Sequence, residues 1–225
     1  MSTEKKTVYV VVCAAGPAGD VGKLIDMAHE RGWDVQVIAT PSALAFIDIE
    51  ALEKQTGRPV RSEHRAPGSP RSPKADAIIV APATFNTINK LANGIADNYA
   101  LDITNEAIGL HVPITILPFV NSAYAGRHPF IRSIDTLRTE GVKLLLGPDV
   151  FTPIALEAGI RQSTISLGFK PSRNSTNPTP DHCRRLMQLC AALIYGQIKP
   201  LCEFPRESTW QIIKKVLWLK LAMSY

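Results

Sequence analysis

The segment Val8–Ala14, VYVVVCA, is an unbroken run of β-branched and other apolar residues. A strand with one wet face alternates apolar and polar positions, so a run without alternation belongs to a strand covered on both faces. Ala75–Val80 (ADAIIV) reads the same way, and Asp34–Ala39, Pro113–Leu117 and Val142–Leu146 are further strand-like runs, with Pro59–Ser62 a short additional strand. Between them lie stretches with helical spacing. Asp20–Arg31 places Val21, Leu24, Ile25 and Ala28 on one face and stops at Gly32, and Ser42–Thr56 stops at Gly57. Phe85–Asn93, Pro129–Glu140 and Thr152–Arg161 read as helices, with a further stretch from Asp97 to Ile108. Strands alternating with helices predict an α/β fold with a parallel sheet between helical layers, wound by right-handed crossovers.

Ligands of such sheets sit beyond the carboxyl ends of the strands. Four loops occupy those ends: Ala15–Gly19, Thr40–Ala43, Pro82–Thr87 and Pro118–Gly126. In the first, Gly16, Pro17 and Ala18 form either a phosphate-approaching loop or a plain strand-to-helix turn. Its GxxGxxG spacing is not GxGxxG, and Ile38-Ala39-Thr40 stands where a dinucleotide site needs an acidic residue. In the second, the Thr40 and Ser42 hydroxyls suit a phosphate, although Ser42 also reads as a helix cap. The third crowds Pro82, Ala83, Thr84, Asn86 and Thr87 into a helix start, and the Asn86 amide offers a donor and an acceptor together.

Composition narrows the function classes. The net charge of +5 lies wholly outside the core: residues 1–170 hold equal numbers of basic and acidic residues, whereas 171–225 hold eight basic and three acidic. A neutral core does not recommend a nucleic-acid partner. Cysteines at 13, 183, 190 and 202 show neither CxxC pairing nor the density of a disulfide scaffold, no metal-ligating spacing stands out, and the polar first residues are unlike a signal peptide. A reducing cytoplasm is the expected location. Three segments are expected: a core domain over 1–165, a Pro/Ser/Thr/Asn-rich linker over 166–180, and a basic helical tail over 181–225 with helices at Asp181–Gln197 and Thr209–Met223. The tail could meet a membrane surface, pack on an oligomer, or be sequence foreign to the domain.

The motifs, taken in order, carry a resemblance. Ala81-Pro82-Ala83-Thr84-Phe85-Asn86-Thr87 resembles the A-P-x-S-A-N-T segment of the homo-oligomeric flavin-containing cysteine decarboxylases, a family that includes phosphopantothenoylcysteine decarboxylases and lantibiotic peptidyl-cysteine decarboxylases. Lys90…Gly94…Asp97-Asn98 is similar to its K-x-x-x-G-x-x-D-N, Thr40-Pro41-Ser42-Ala43 to its second-strand loop, and Pro118-Phe119-Val120-Asn121 to its P-x-M-N. The resemblance covers roughly residues 7–160 and implies a Rossmann-like (flavodoxin-like) three-layer sandwich that binds FMN. It implies that Gly16, Pro17, Ala18, Thr40 and Ser42 hold the phosphate and ribityl chain, and that Pro82, Ala83, Thr84, Asn86 and Thr87 line the ring. Lys90, Gly94, Asp97 and Asn98 would shape the helix and subunit contacts behind it. Asn121 would bind the carboxylate of a peptide or small acid ending in a cysteine-like group. The implied reaction is oxidative decarboxylation, with hydride leaving the cysteine Cβ–S unit and CO₂ then lost to an enethiolate. Trimer-based oligomers, with the flavin near a subunit boundary, are also implied.

The chain departs from that pattern in three places. The spacing of the family's active-site histidine lands on Gly68, while the nearest histidine is His64, twelve residues before Asp76. Either the loop carries an insertion and His64 is the catalytic histidine, or the base has been lost. Val120 replaces the methionine of P-x-M-N, and Gly147–Phe151 stands in place of the substrate flap of the coenzyme A enzymes. A substrate outside coenzyme A synthesis is therefore expected. The rival readings are a non-catalytic flavin-binding or regulatory subunit and a prenylated-flavin synthase-like transferase, the latter without the basic cluster a prenyl phosphate needs.

Overall fold

The computed structural model describes residues 5–68 and 71–146, all within one compact unit. Its centre is a five-stranded sheet in the order β2-β1-β3-β4-β5, every neighbouring pair parallel. The strands are β1 (Thr7–Val12), β2 (Asp34–Ala39), β3 (Ala77–Ala83), β4 (Ile114–Pro118) and β5 (Lys143–Leu144). Every residue of β1, β3 and β4 is buried, which is why their sequences do not alternate. The helices are α1 (Val21–His29), α2 (Ile49–Thr56), α3 (Phe85–Ala92), α4 (Tyr99–Gly109), α5 (Ser122–Ala125) and α6 (His128–Thr139).

Strand registers put alternate residues on opposite layers. Val11, Ile38, Val80 and Ile116 line one face and share a core with Ile88 and Leu91 of α3, Leu101 of α4, and Phe130, Ile134 and Leu137 of α6. Helices α1 and α2 pack against β1 and β2 through the other set, which includes Val10 and Val37. The result is the flavodoxin-like three-layer sandwich, with strand order reversing beside β1.

Two expected elements take another form. Ser42–Thr56 is not one helix: a 3₁₀ segment over Pro41–Phe46 ends at extended Ile47, and α2 starts afresh. The Asp48 carboxylate accepts from the Ala51 amide at 3.0 Å, giving α2 its own start, and Gly57 closes it in the left-handed region at φ 68°. Pro59–Ser62 is reduced to one parallel bridge, Ile38 to Arg61, where the Arg61 backbone bonds both Val37 and Ala39 along the free edge of β2. The expected last strand shrinks to two residues. Helices expected at Thr152–Arg161, Asp181–Gln197 and Thr209–Met223, the linker over 166–180, and the Gly147–Phe151 segment lie outside the described residues. Among the described residues no helix is long and apolar enough to cross a membrane.

Candidate functional site

Backbone hydrogen bonds stitch the carboxyl ends of four strands together. The Thr40 amide donates to the Val12 carbonyl at 2.9 Å, Cys13 to Pro82 at 3.2 Å, and Phe119 to Ala83 at 2.8 Å. The four loops singled out in the sequence therefore leave one edge side by side. The Phe119 ring lies 3.8 Å from where a Cβ on Gly16 would stand, bringing the fourth loop against the first. In the same way, the Phe46 carbonyl would lie 3.5 Å from a Cβ on Gly19, joining first and second.

Within this edge the expected residues have distinct roles. Thr84 caps α3: its Oγ1 accepts from the Thr87 amide at 3.3 Å and lies 3.0 Å from Thr87 Oγ1. Thr87 is buried, and the Cys13 thiol beneath it bonds the Thr87 side chain and the Thr84 backbone. Burial pushes that thiol's pKa up more than these two hydrogen bonds pull it down, so Cys13 is a neutral prop for the loop. The strand period, which places Cys13 on the same face as Tyr9 and Val11, is the sequence signal that points it into this core. Asn86 is exposed, and its side-chain amide has no hydrogen-bond partner among the described residues. Pro82 and Ala83 are buried in β3, and the Ala81–Pro82 peptide is cis.

The first two loops form 3₁₀ segments, Gly16–Asp20 and Pro41–Phe46. Their starting residues, Ala15 and Thr40, make no side-chain cap, and neither first turn holds an acidic residue. Gly16 and Ser42 are exposed, Pro17 half-buried, and Ala18 and Thr40 buried. The Gly16 and Ser42 amides, with the Thr40 and Ser42 hydroxyls and first turns that hold no carboxylate, form a donor set suited to an anionic group.

Asn121 begins α5, where its Oδ1 accepts from the Tyr124 amide at 2.9 Å, leaving the side-chain NH₂ available. The Phe85 ring stacks on Tyr124 with centroids 4.6 Å apart and on Phe130 at 5.6 Å. This aromatic ladder clamps the start of α3 to the fourth loop. The sequence reading missed it because Phe85 and Tyr124 lie far apart in the chain.

His64 does not join this group. Its Nε2 is 3.8 Å from Asp102 Oδ2 and its ring meets Tyr99 edge-on at 5.0 Å, so it rests on α4. It lines a cleft of about 730 Å³ with Tyr9, Arg61 and Arg71, and no residue of the four loops borders that cleft. The Tyr9 hydroxyl there donates to the Pro73 carbonyl at 2.6 Å, and its pKa is raised, first by burial and then by Tyr99. The Lys90…Asn98 motif has a local role: Lys90 pairs with Asp97, Gly94 turns the chain at φ 65°, and the Asn98 Oδ1 caps α4 at the Leu101 amide. Among the described residues no cluster of histidine, cysteine and carboxylate side chains could hold a metal ion.

A parallel sheet of this order, with a threonine-capped helix start and uncapped loops at its carboxyl edge, is the architecture of an α/β nucleotide- or flavin-binding protein. The sequence profile of the Flavoprotein family matches residues 1–164, and the chain belongs to that family. It is 30% identical over 147 residues to the coenzyme A biosynthesis bifunctional protein CoaBC of Thermococcus kodakarensis, a match that takes in 62% of this chain and 36% of that one. The chain thus spans about a third of this curated relative's length. Among solved structures it is similar to the FMN-dependent cysteine decarboxylase TvaF from thioviridamide biosynthesis, with TM-score 0.57, 26% identity, and coverage of 65% of this chain and 92% of that one. It is also similar to the epidermin biosynthesis protein EpiD from Staphylococcus aureus, with TM-score 0.53, 27% identity, and coverage of 62% and 81%.

Proposed function

We propose that this protein binds FMN at the carboxyl edge of β1–β4 and catalyses oxidative decarboxylation of a peptide or small acid ending in a cysteine-like group. The observation that carries the reading is the convergence of the Gly16, Thr40 and Thr84–Thr87 loops on one stitched edge, with Asn86 uncommitted. Gly16, Pro17, Thr40 and Ser42, over buried Ala18, would hold the phosphate and ribityl chain, with the Gly16 and Ser42 amides and the Thr40 and Ser42 hydroxyls donating to the phosphate oxygens. Thr84 and Thr87, fixed by each other and by Cys13, would fix the helix start above the buried end of β3, Pro82 and Ala83, while Asn86 meets the polar edge of the ring. Bound FMN would supply the two-electron acceptor for the cysteine Cβ–S unit. The Asn121 NH₂ would orient the substrate carboxylate.

His64 would act as the base from a neighbouring copy in a trimer-based homo-oligomer, since its own cleft shares no residue with the loops of its protomer. The same separation also supports a second reading, in which the chain binds flavin without turning over a substrate. Residues 1–165 form the FMN domain in either case, and a reducing cytoplasm suits both.

The test is a titration with FMN followed by CO₂ measurement. Expected are flavin absorbance retained through gel filtration, CO₂ release from a cysteine-terminated peptide, and a fall of at least tenfold in His64→Asn with FMN still bound. Failure to retain FMN would overturn the cofactor assignment. Retention without CO₂ release from any thiol acid would favour the binding protein, and full activity in His64→Asn would remove the histidine from the mechanism.

A further inference from the structure

Helices α3 and α6 pack on each other, and a groove of about 400 Å³ runs between them. One face of α3 supplies Phe85 and Asn89, with Asn93 just after it, and one face of α6 supplies Arg132 and Thr136, with Arg127 just before α6. The floor is closed by a hydrogen bond from buried Ser133 to Asn89 Oδ1 at 2.7 Å. No carboxylate lines the groove, and neither Arg127 nor Arg132 takes part in an ion pair among the described residues. Elsewhere, Lys5 and Arg58 meet Asp34, Lys23 meets Asp20, and Lys90 meets Asp97.

The groove begins where the candidate flavin loop ends. Phe85 is both its first lining residue and the neighbour of Thr84 and Asn86. Asn86, Asn89 and Asn93 follow at helical spacing in a strip along α3 and its C-cap. With Asn89 Oδ1 accepting from Ser133 and Asn93 Nδ2 donating to the Asn89 carbonyl, the Asn89 NH₂ and the Asn93 Oδ1 face the groove for a ligand. The strip is roughly 10 Å long at 1.5 Å per residue, the reach of about three extended residues. Asparagine amides bond a peptide backbone, while guanidinium groups recognise carboxylates.

We propose that this groove binds the residues preceding the terminal cysteine of a peptide substrate and selects those bearing carboxylate side chains. The inference rests on the decarboxylase reading for its substrate, and its binding component can be measured without turnover.

The test compares three cysteine-terminated peptides that differ only in having two Glu, two Gln or two Lys among the three upstream positions. Each is assayed with the FMN-loaded full chain for kcat/KM and, with a fluorescent label at its amino end, for binding by anisotropy. The Glu peptide is expected to exceed the Gln peptide by about tenfold at low salt, the scale of a charge-assisted contact, and to lose most of that advantage near ~0.5 M salt. Arg127→Gln with Arg132→Gln is expected to bring the Glu-to-Gln ratio close to one, and Arg132→Glu to turn the preference towards Lys. Equal treatment of the three peptides by the unaltered protein would overturn the proposal, as would an equal loss for all three in the variants. Selective binding of the Glu peptide without CO₂ release would sustain the groove and discard the decarboxylase; turnover without charge preference would do the reverse.

Discussion

Asn86 and Thr87 are adjacent and do opposite work. Asn86 is exposed and uncommitted, so Asn86→Ala is expected to leave stability within about 0.5 kcal/mol while weakening FMN binding by tenfold or more, read by quenching of flavin fluorescence. Thr87 is buried against Thr84 and Cys13, so Thr87→Val, nearly the same shape, is expected to cost about 1–2 kcal/mol in urea unfolding by stranding those partners. Cys13 sets a pH dependence. Because its pKa is raised, the native state keeps a proton that the unfolded chain has already shed, and unfolding gains as pH rises. Its contribution is intact below the ordinary thiol value of about 8.5 and declines from there up to the raised native value. Cys13→Ala should flatten that decline in melts run from pH 7 to 10. The sequence marks Asn86 as a polar residue at a helix start but not Cys13 as a prop, because thiol and methyl look alike in an apolar run until the partner across the strand end is known.

Among the elements, legibility followed how local the cause was. Strands β1, β3 and β4 were readable because burial on both faces writes itself as a continuous apolar run. The second helix was misjudged as continuous because apolar residues persist through Leu44, Phe46 and Ile47, while the break depends on the Asp48 carboxylate turning back to an amide. Asp48→Ala should therefore cost about 1 kcal/mol, a loss measurable by chemical denaturation. Gly57→Ala should cost a similar amount, about 1 kcal/mol, from backbone conformation alone, since a Cβ there meets no atom within 4 Å. The four carboxyl-end loops were legible from strand order alone. That His64 rests on α4 was not, because its partners Tyr99 and Asp102 are remote in sequence.

For the whole molecule, charge and domain extent belong together. The core is neutral and the excess positive charge follows residue 170. A chain ended at residue 165 is therefore expected to fold and bind FMN as the full chain does, while eluting earlier from a cation exchanger. Loss of FMN binding on truncation would show that later residues complete the site. The parallel topology makes the carboxyl edge the natural seat of a ligand, but it does not specify one; that comes from a few side chains set on the edge.

The cross-strand amides of Cys13, Thr40 and Phe119 tie the rim of the site before any ligand arrives. In deuterated solvent these three protons should exchange as slowly in the free protein as in the loaded one, with binding slowing only the loops above them. A rim already at rest leaves the incoming molecule little ordering to perform, so its capture rate should be governed by diffusion and orientation rather than by a folding step.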